Sequence, residues 1–486
     1  MVSPTDSPTA PAQRSGGRRP LNRYLLAVGL MIMLAGFLFG YDQGVISGAL
    51  DGIQKTFRIS SLMLEVITSW VTLGAMAGAL AAGALADRLG RRATILLAAG
   101  TFVVGALVEA LAPGSLVLVL GRLIVGAGVG VASVAAPLYG SEVAPARLRG
   151  RYVALYQMAI TIGIFLAYFA DYLLISSDRW RVMLGISAIP AFLLVLVAWP
   201  LKDTPRWYVK RGRRANAEGV LRKTEPELDI DGALDAIGQA VVADSRSATW
   251  LQVFARQWRK PLLAAAALAV LQQLTGINAI IYYADKIFEA AGFQSPTSQS
   301  LATLWAVGGV NVVATLVAVL WVDRFGRKPL LLIGSAGMFV SLLVVGGAFF
   351  QIDSVSAAQR AAHGTTDAGI LALVGLVAFI ASFAFSLGPV VWIMINEIFP
   401  GPVRARGVAF ATAVNWLAAF VVAEFYLSMV SLITTAGTFL LFAGFCAVTF
   451  CYVRWFLPET KGKSLEEVQT MWSDPEALHE AVTGRG

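Results

Sequence analysis

Apolar residues fall along the chain in blocks of about 20, the length at which a helix rising about 1.5 Å per residue crosses the hydrocarbon of a bilayer. Such blocks stand near residues 24–45, 65–85, 93–112, 115–138, 152–173 and 180–199, and again near 261–284, 300–321, 329–350, 369–395, 406–428 and 434–456. The pattern predicts twelve membrane-spanning helices, six on each side of a polar stretch at 201–258. Composition agrees, since 57% hydrophobic and 14% charged residues, with a mean hydropathy of +0.70, exceed what a soluble chain of this length can bury.

Polar residues that interrupt these blocks carry the candidate chemistry. The seventh block contains Gln272, Gln273, Asn278, Tyr282 and Tyr283. Amides are costly in hydrocarbon unless they pair or face water, so the cluster points to a site, or else to polar contacts between helices. On a straight helix Gln272, Gln273 and Asn278 lie roughly 100° and 140° apart, so a break near Gly276 is needed to gather them. Unwound backbone at that depth survives only where it lines a cavity or is buried in protein. Asp42 and Arg122 are charged groups inside blocks of their own, and such residues are rare unless paired or functional.

The net charge of +8 suggests nucleic acid in a soluble chain, but its placement here gives orientation instead. With both termini in the cytoplasm, all but seven of the 38 Lys and Arg fall in cytoplasmic segments, and an odd helix count would scramble that asymmetry. Cys446 and Cys451 share the last block and suggest no disulfide or metal site, and His363 and His479 fall in an outer loop and the tail. No catalytic constellation, metal site or cofactor motif is evident, so the chain is not expected to be an enzyme.

Internal repetition sets the organisation. Asp87-Arg88-Leu89-Gly90-Arg91-Arg92 returns as Asp323-Arg324-Phe325-Gly326-Arg327-Lys328; Glu142 with Arg149 returns as Glu397 with Arg406, and Asp203-Thr204 as Glu459-Thr460. The offset lengthens by about 20 because a polar insert at 351–367 separates the ninth and tenth blocks. The expected parts are a disordered cytoplasmic tail (1–20), a six-helix bundle (21–200), a cytoplasmic linker of short helices (201–258), a second bundle (259–457) and a cytoplasmic tail (458–486). The first block is long enough to be retained as a helix rather than cleaved as a signal.

The motifs resemble the sugar porter family of the major facilitator superfamily over about residues 22–465. They are Gly36-Phe37-Leu38-Phe39-Gly40-Tyr41-Asp42, Gly83 with Asp87 to Arg92, Gly121-Arg122, Pro205-Arg206-Trp207, Gln272-Gln273 with Gly276-Ile277-Asn278, Gly388-Pro389 with Trp392, Asn415-Trp416, and Pro458-Glu459-Thr460. Two positions depart from the pattern: Lys202-Asp203-Thr204 stands where Pro-Glu-Ser is usual, and Val319 where the first repeat has Gly83. The resemblance implies an all-α membrane protein of two pseudo-symmetric six-helix bundles, expected to work as a monomer in the plasma membrane; the short outer loop between the first two blocks, the absence of any Asn-x-Ser/Thr sequence and the Ala- and Gly-rich composition suggest a bacterial inner membrane. Its sugar would lie between the bundles, held by Gln157, Gln272, Gln273, Asn278, Asn311 and Asn415, with Phe383, Gly388, Trp392 and Trp416 shaping apolar walls. Amides suit sugar hydroxyls because each offers both donors and an acceptor.

The resemblance also makes Asp42 and Arg122 partners in proton coupling, an acid at this position marking proton-coupled members and an amide the facilitative ones. If a conformational change withdraws Arg122, a buried Asp42 carboxylate takes up a proton. Asp87, Arg88, Arg91, Arg92, Glu142, Arg149, Asp323, Arg324, Arg327, Glu397, Arg406 and Glu459 are expected to gate the inner face, and Tyr282 and Tyr283 the path to the site. Glu424, near the outer end of the eleventh block, is not among the sugar contacts that the resemblance implies, and its role is left open. The resulting expectation is a carrier that brings in a hexose such as D-glucose with a proton. A facilitative uniporter and a non-transporting sugar sensor are the alternatives, and the 28 residues after Pro458 are short for the signalling tail of a sensor.

Overall fold

The structure, a computed structural model, describes residues 22–145, 148–174, 179–226, 228–245, 250–354, 366–399 and 403–461, with Glu467 and Trp472. The expectations for tail 1–20, for His363 and His479, and for nearly all of the segment after Lys461 lie outside the described residues. Every regular element among the described residues is a helix, and none is a strand.

Twelve helices are long and apolar enough to cross a membrane: α1 (Arg23–Phe57), α2 (Ser61–Leu89), α3 (Arg91–Ala110), α4 (Ser115–Val143), α5 (Gly150–Leu173), α6 (Trp180–Ala198), α7 (Arg256–Tyr282), α8 (Pro296–Trp321), α9 (Arg327–Ser354), α10 (Asp367–Ile398), α11 (Arg406–Glu424) and α12 (Tyr426–Phe456). Local chemistry sets several starts. Ser60 and Thr366 cap α2 and α10 by accepting from the amides of Met63 and Gly369, and Ser295 with Pro296 opens α8. At the inner turns α2–α3 and α8–α9, Gly90 (φ 100°) and Gly326 (φ 89°) adopt a conformation that a side chain disfavours.

Two bundles of six result. In the first, α1 packs on α5, and α4 packs on both α2 and α3; in the second, α9 packs on α10 and α12, and α7 on α11. The α2–α4 approach is close because α4 presents Gly126 and Gly130, where a Cβ would fall 2.0 Å from the carbonyl oxygens of Val71 and Ala75.

The sequence repeats become matched bonds at the inner ends. Asp203 accepts from the amides of Arg91 (2.9 Å) and Arg92 (3.2 Å) at the start of α3, and Glu459 accepts from those of Arg327 (3.1 Å) and Lys328 (2.9 Å) at the start of α9. Arg91 then pairs with Glu142 (3.0 Å) and Arg327 with Glu397 (3.1 Å), while Thr204 and Thr460 donate to those same two glutamates. A carboxylate at a helix N-terminus is favoured by the free amides and the helix dipole there.

Some boundaries differ from the hydropathy blocks. The first helix runs on to Phe57, well past the apolar block, because Asp42, Gln43 and Ser47 are covered by other helices rather than by lipid. The last begins at Tyr426 and kinks at Ile433 and Thr434 (φ 66°), so the block at 434–456 is its inner part. Between the bundles, helices Pro205–Lys210, Arg214–Thr224 and Ile230–Ser245 close a small core around Tyr208, Ala217, Val220 and Leu234.

Candidate functional site

The amide cluster forms where α7 breaks. The helix stops at Leu274, Gly276 turns left-handed (φ 87°), and Ile277 starts again; a Cβ on Gly276 would fall 2.4 Å from the Phe442 ring, so both the dihedral and the space require glycine. The break brings the amides of the two segments together. Asn278 Nδ2 donates to Gln273 Oε1 (2.8 Å), Gln273 Nε2 to Asn415 Oδ1 (3.1 Å), and Asn415 Nδ2 to Gln272 Oε1 (2.8 Å). Gln272 Nε2 ends the chain on the carbonyl of Leu387 (2.8 Å), where α10 is itself interrupted at Ser386. At the other end Gln43 of α1 donates to Asn278 Oδ1 (3.5 Å), so the network crosses from one bundle to the other.

The remaining sugar-site candidates stand apart from this network. Asn311 is buried and accepts from Thr315 one turn further along α8 (3.4 Å). Gln157, on α5, is half-buried and bonds to none of the cluster. Trp416 is buried and packs against Phe39 across the two bundles, with ring centroids 5.4 Å apart. Trp392 is half-buried, and Gly388 leaves the space beside it to the Phe383 ring, which a Cβ would approach to 3.4 Å. Tyr283 donates to the Ala423 carbonyl (3.0 Å) and stacks on Tyr426 at 4.9 Å, whereas Tyr282 is buried within electrostatic reach of Asp42 and Arg122.

One residue before Gln43 lies the charged centre. Arg122 Nη1 donates to Asp42 Oδ1 at 2.6 Å, and Arg122 Nε to the Ile67 carbonyl at 3.3 Å. A third charge joins them: Glu109 of α3 places Oε1 3.6 Å from Arg122 Nη1. All three are nearly sealed from solvent, at 5% exposure for Asp42, 0% for Arg122 and 1% for Glu109. Gly121 makes room, since a Cβ there would meet Glu109 Cγ at 2.6 Å. Among the described residues Glu109 Oε1 and Arg122 Nη2 have no hydrogen-bond partner.

The outer ends of the bundles are joined. Lys286 pairs with Asp51 (2.5 Å), the Asp285 amide donates to Ser47 Oγ (3.0 Å), and Tyr168 donates to the Ile281 carbonyl (2.8 Å). Glu65 of α2 accepts from both the amide and the hydroxyl of Ser428 (2.7 Å each), and Ser69 donates to Glu424, which gives that residue a place in the outer closure. Asp285 takes hydroxyl bonds from Ser300 (3.2 Å) and Thr303; burial pushes its carboxyl up to about 6 against those bonds.

At the inner ends, by contrast, the bonds described for the gating candidates stay within their own halves. Arg91 bonds Asp87 and Glu142, Arg327 bonds Glu397, and Arg92 donates to the Ala198 carbonyl (3.1 Å). Arg88 is exposed, and the Arg324 carbonyl accepts from Lys461 (2.8 Å). Arg406 keeps a buried Nη1 without a hydrogen-bond partner among the described residues. The side chains of Arg149 and Asp323 lie outside the described residues. Burial raises the Asp203 carboxyl, while the amides of Thr204, Arg91 and Arg92 pull it down. The halves are thus closed outside and separately braced inside.

Sequence reading missed Glu109, Gln43, Glu65 and Asp285, and named Asp42 and Arg122 as the charged pair without the third member. The signal for Glu109 was present, as a lone acid in the block at 93–112.

A family model described as "Sugar (and other) transporter" matches residues 28–472. The galactose-proton symporter of Escherichia coli K12 is 39% identical over 438 residues, 90% of this chain and 92% of that protein. The arabinose-proton symporter of the same strain is 37% identical over 459 residues, 93% and 94% of the two chains. Among solved structures, the proton:xylose symporter XylE, an E. coli protein, bound to 6-bromo-6-deoxy-D-glucose, superposes with a TM-score of 0.77 at 30% identity, covering 92% of this chain and 99% of that one.

Proposed function

The chain belongs to the sugar transporter family of the major facilitator superfamily, carriers rather than enzymes, and from that premise we propose that it imports a hexose such as D-glucose by proton symport with alternating access. The observation that carries this reading is the adjacency of two devices on one turn of α1: Asp42 bonds Arg122, and Gln43 bonds the amide network of α7 and α11.

On this reading the sugar sits between the bundles and takes over hydrogen bonds that the amides now make to one another. Each such exchange is nearly even in free energy, about 1 kcal/mol net per bond. Net affinity therefore comes from covering the apolar faces of the ring, for which Trp416 and the half-buried Trp392 are at hand. Because Gln43 belongs to one bundle and Asn278 to the other, a sugar that displaces their contact loosens the tie between halves next to the proton site.

Asp42 is the proton carrier of the scheme. While Arg122 donates to it, the guanidinium balances the charge of the carboxylate. When the bundles rock and that bond lengthens, the carboxylate is left in a dry site and takes up a proton, and return of Arg122 expels it. One charge moved across 100 mV corresponds to about 2.3 kcal/mol, enough to concentrate a neutral sugar several-tens-fold. The placement of Lys and Arg supports a plasma membrane orientation with both termini in the cytoplasm.

The choice of sugar is tested by competition. Cells that lack their own hexose carriers and express this chain take up labelled D-glucose in the presence of unlabelled glucose, galactose, xylose, arabinose or inositol. Strongest competition by a hexose is the expected result; strongest competition by a pentose or inositol contradicts the hexose assignment.

A further inference from the structure

Glu109 is a carboxylate that the two-residue proton mechanism leaves without work. It is almost wholly buried on α3, faces the Arg122 guanidinium at 3.6 Å, and accepts no hydrogen bond through Oε1. Its space exists only because position 121 lacks a Cβ. The charged neighbours are few. Asp42 approaches from α1 and Arg122 from α4, and Tyr282 of α7 faces the pair. Arg181 of α6 donates to the Ala112 carbonyl (3.0 Å) with its guanidinium 4.2 Å from the centroid of the Trp180 ring, so its charge is engaged at the outer end of the helix.

We propose that Glu109 is a positioning residue of the proton site: it is the counter-charge that holds Arg122 while Asp42 carries the proton, and it thereby sets the pH range over which transport is coupled. The inference rests on the proton-symport reading above.

Charge counting gives the reason. With both carboxylates ionised, the three groups sum to −1, and one proton on Asp42 brings them to zero with Arg122 still paired to Glu109. Were residue 109 neutral, the ionised Asp42–Arg122 pair would already sum to zero, and protonating Asp42 would leave a guanidinium buried without a counter-ion. Such a charge is strongly disfavoured in an apolar interior. Glu109 therefore makes proton uptake by Asp42 possible at milder acidity. The geometry suits this exchange of partners: Arg122 gives its short bond to Asp42 now and keeps Nη2 unbonded, so a small rotation toward Glu109 replaces one carboxylate by the other.

The test is the external pH dependence of labelled-sugar accumulation in the parent protein, Glu109→Gln, Glu109→Met, Glu109→Asp and Asp42→Asn, with surface amount measured for each. Both neutral replacements should move the midpoint of accumulation to lower pH by about one unit or more, a tenfold higher proton requirement, with recovery at sufficiently acid pH. Glu109→Asp, which keeps the charge, should restore the midpoint to near that of the parent. Either neutral variant in folded form decides the matter, and methionine suits an apolar site that disfavours an unpaired amide. An equal loss at every pH, or an unmoved midpoint, assigns Glu109 a merely structural role and overturns the proposal. Accumulation that survives Asp42→Asn overturns the symport reading itself, whatever the Glu109 profiles show.

Discussion

Gln273 is the hub of the candidate sugar site, bonded at once to Gln272, Asn278 and Asn415. Its replacement by leucine removes an acceptor for Asn278 and a donor to Asn415, and leaves sugar hydroxyls without a partner. We expect Gln273→Leu to weaken sugar binding by roughly 1–3 kcal/mol, read as apparent affinity in counterflow. Unchanged affinity for every sugar tested would contradict the role given to the amides. The amides were legible in the sequence because a glutamine pair inside an apolar run has few harmless explanations, and Asp42 and Arg122 for the same reason. Glu109, although a lone acid in its block, was passed over because it sits beside the Leu111-Ala112-Pro113 end, where an acid reads as interfacial. Only the packing of α3 against α4 turns it toward Arg122.

At the scale of elements, the break in α7 continues into the short helix Ala284–Ala290, whose first turn carries part of the outer closure. Asp285 and Lys286 there face Ser47 and Asp51 of α1. Once the outer face opens, water reaches Asp285 and its carboxyl returns to the ordinary value of 3.8, whereas closure lifts it to about 6. The closed form therefore binds the proton more tightly. Its advantage is complete below about pH 4 and is lost as pH rises through about 6. Labelling of a cysteine introduced in the outer cavity, in a chain with Cys446 and Cys451 replaced, should rise across that window, and Asp285→Asn should flatten the rise. A profile that falls with pH in the parent would contradict this role for the closure. The break itself could be expected from Gly276, because the amides share no face of a straight helix. The tie to α1 could not, because the polar end of α1 from Gln43 to Thr56 has no hydropathy signal of its own.

For the whole molecule, the two-bundle plan was readable from repeats that recur at nearly constant offset, and the structure turns those repeats into matched bonds at the inner ends: Asp203 with Glu459, Arg91 with Arg327, Glu142 with Glu397. These bonds brace each half as a unit, while the contacts that join the halves lie at mid-depth, through Gln43 and Trp416, and at the outer end, through Glu65, Ser69 and Lys286. Such an arrangement suits the proposed rocking of the halves as rigid bodies, with the charged centre of Asp42, Glu109 and Arg122 confined to the first half and the amides mostly to the second. The central claim is that a proton on Asp42 drives this motion. It is tested most directly by measuring labelled-sugar accumulation and sugar-induced alkalinisation of the medium in cells expressing the parent protein or Asp42→Asn, with and without a protonophore. The account predicts protonophore-sensitive accumulation and alkalinisation in the parent, and neither in Asp42→Asn, which should still exchange labelled for unlabelled sugar. A parent protein that only equilibrates sugar, with no response to the protonophore, would contradict it and make the Asp42–Arg122 pair a structural feature of a uniporter.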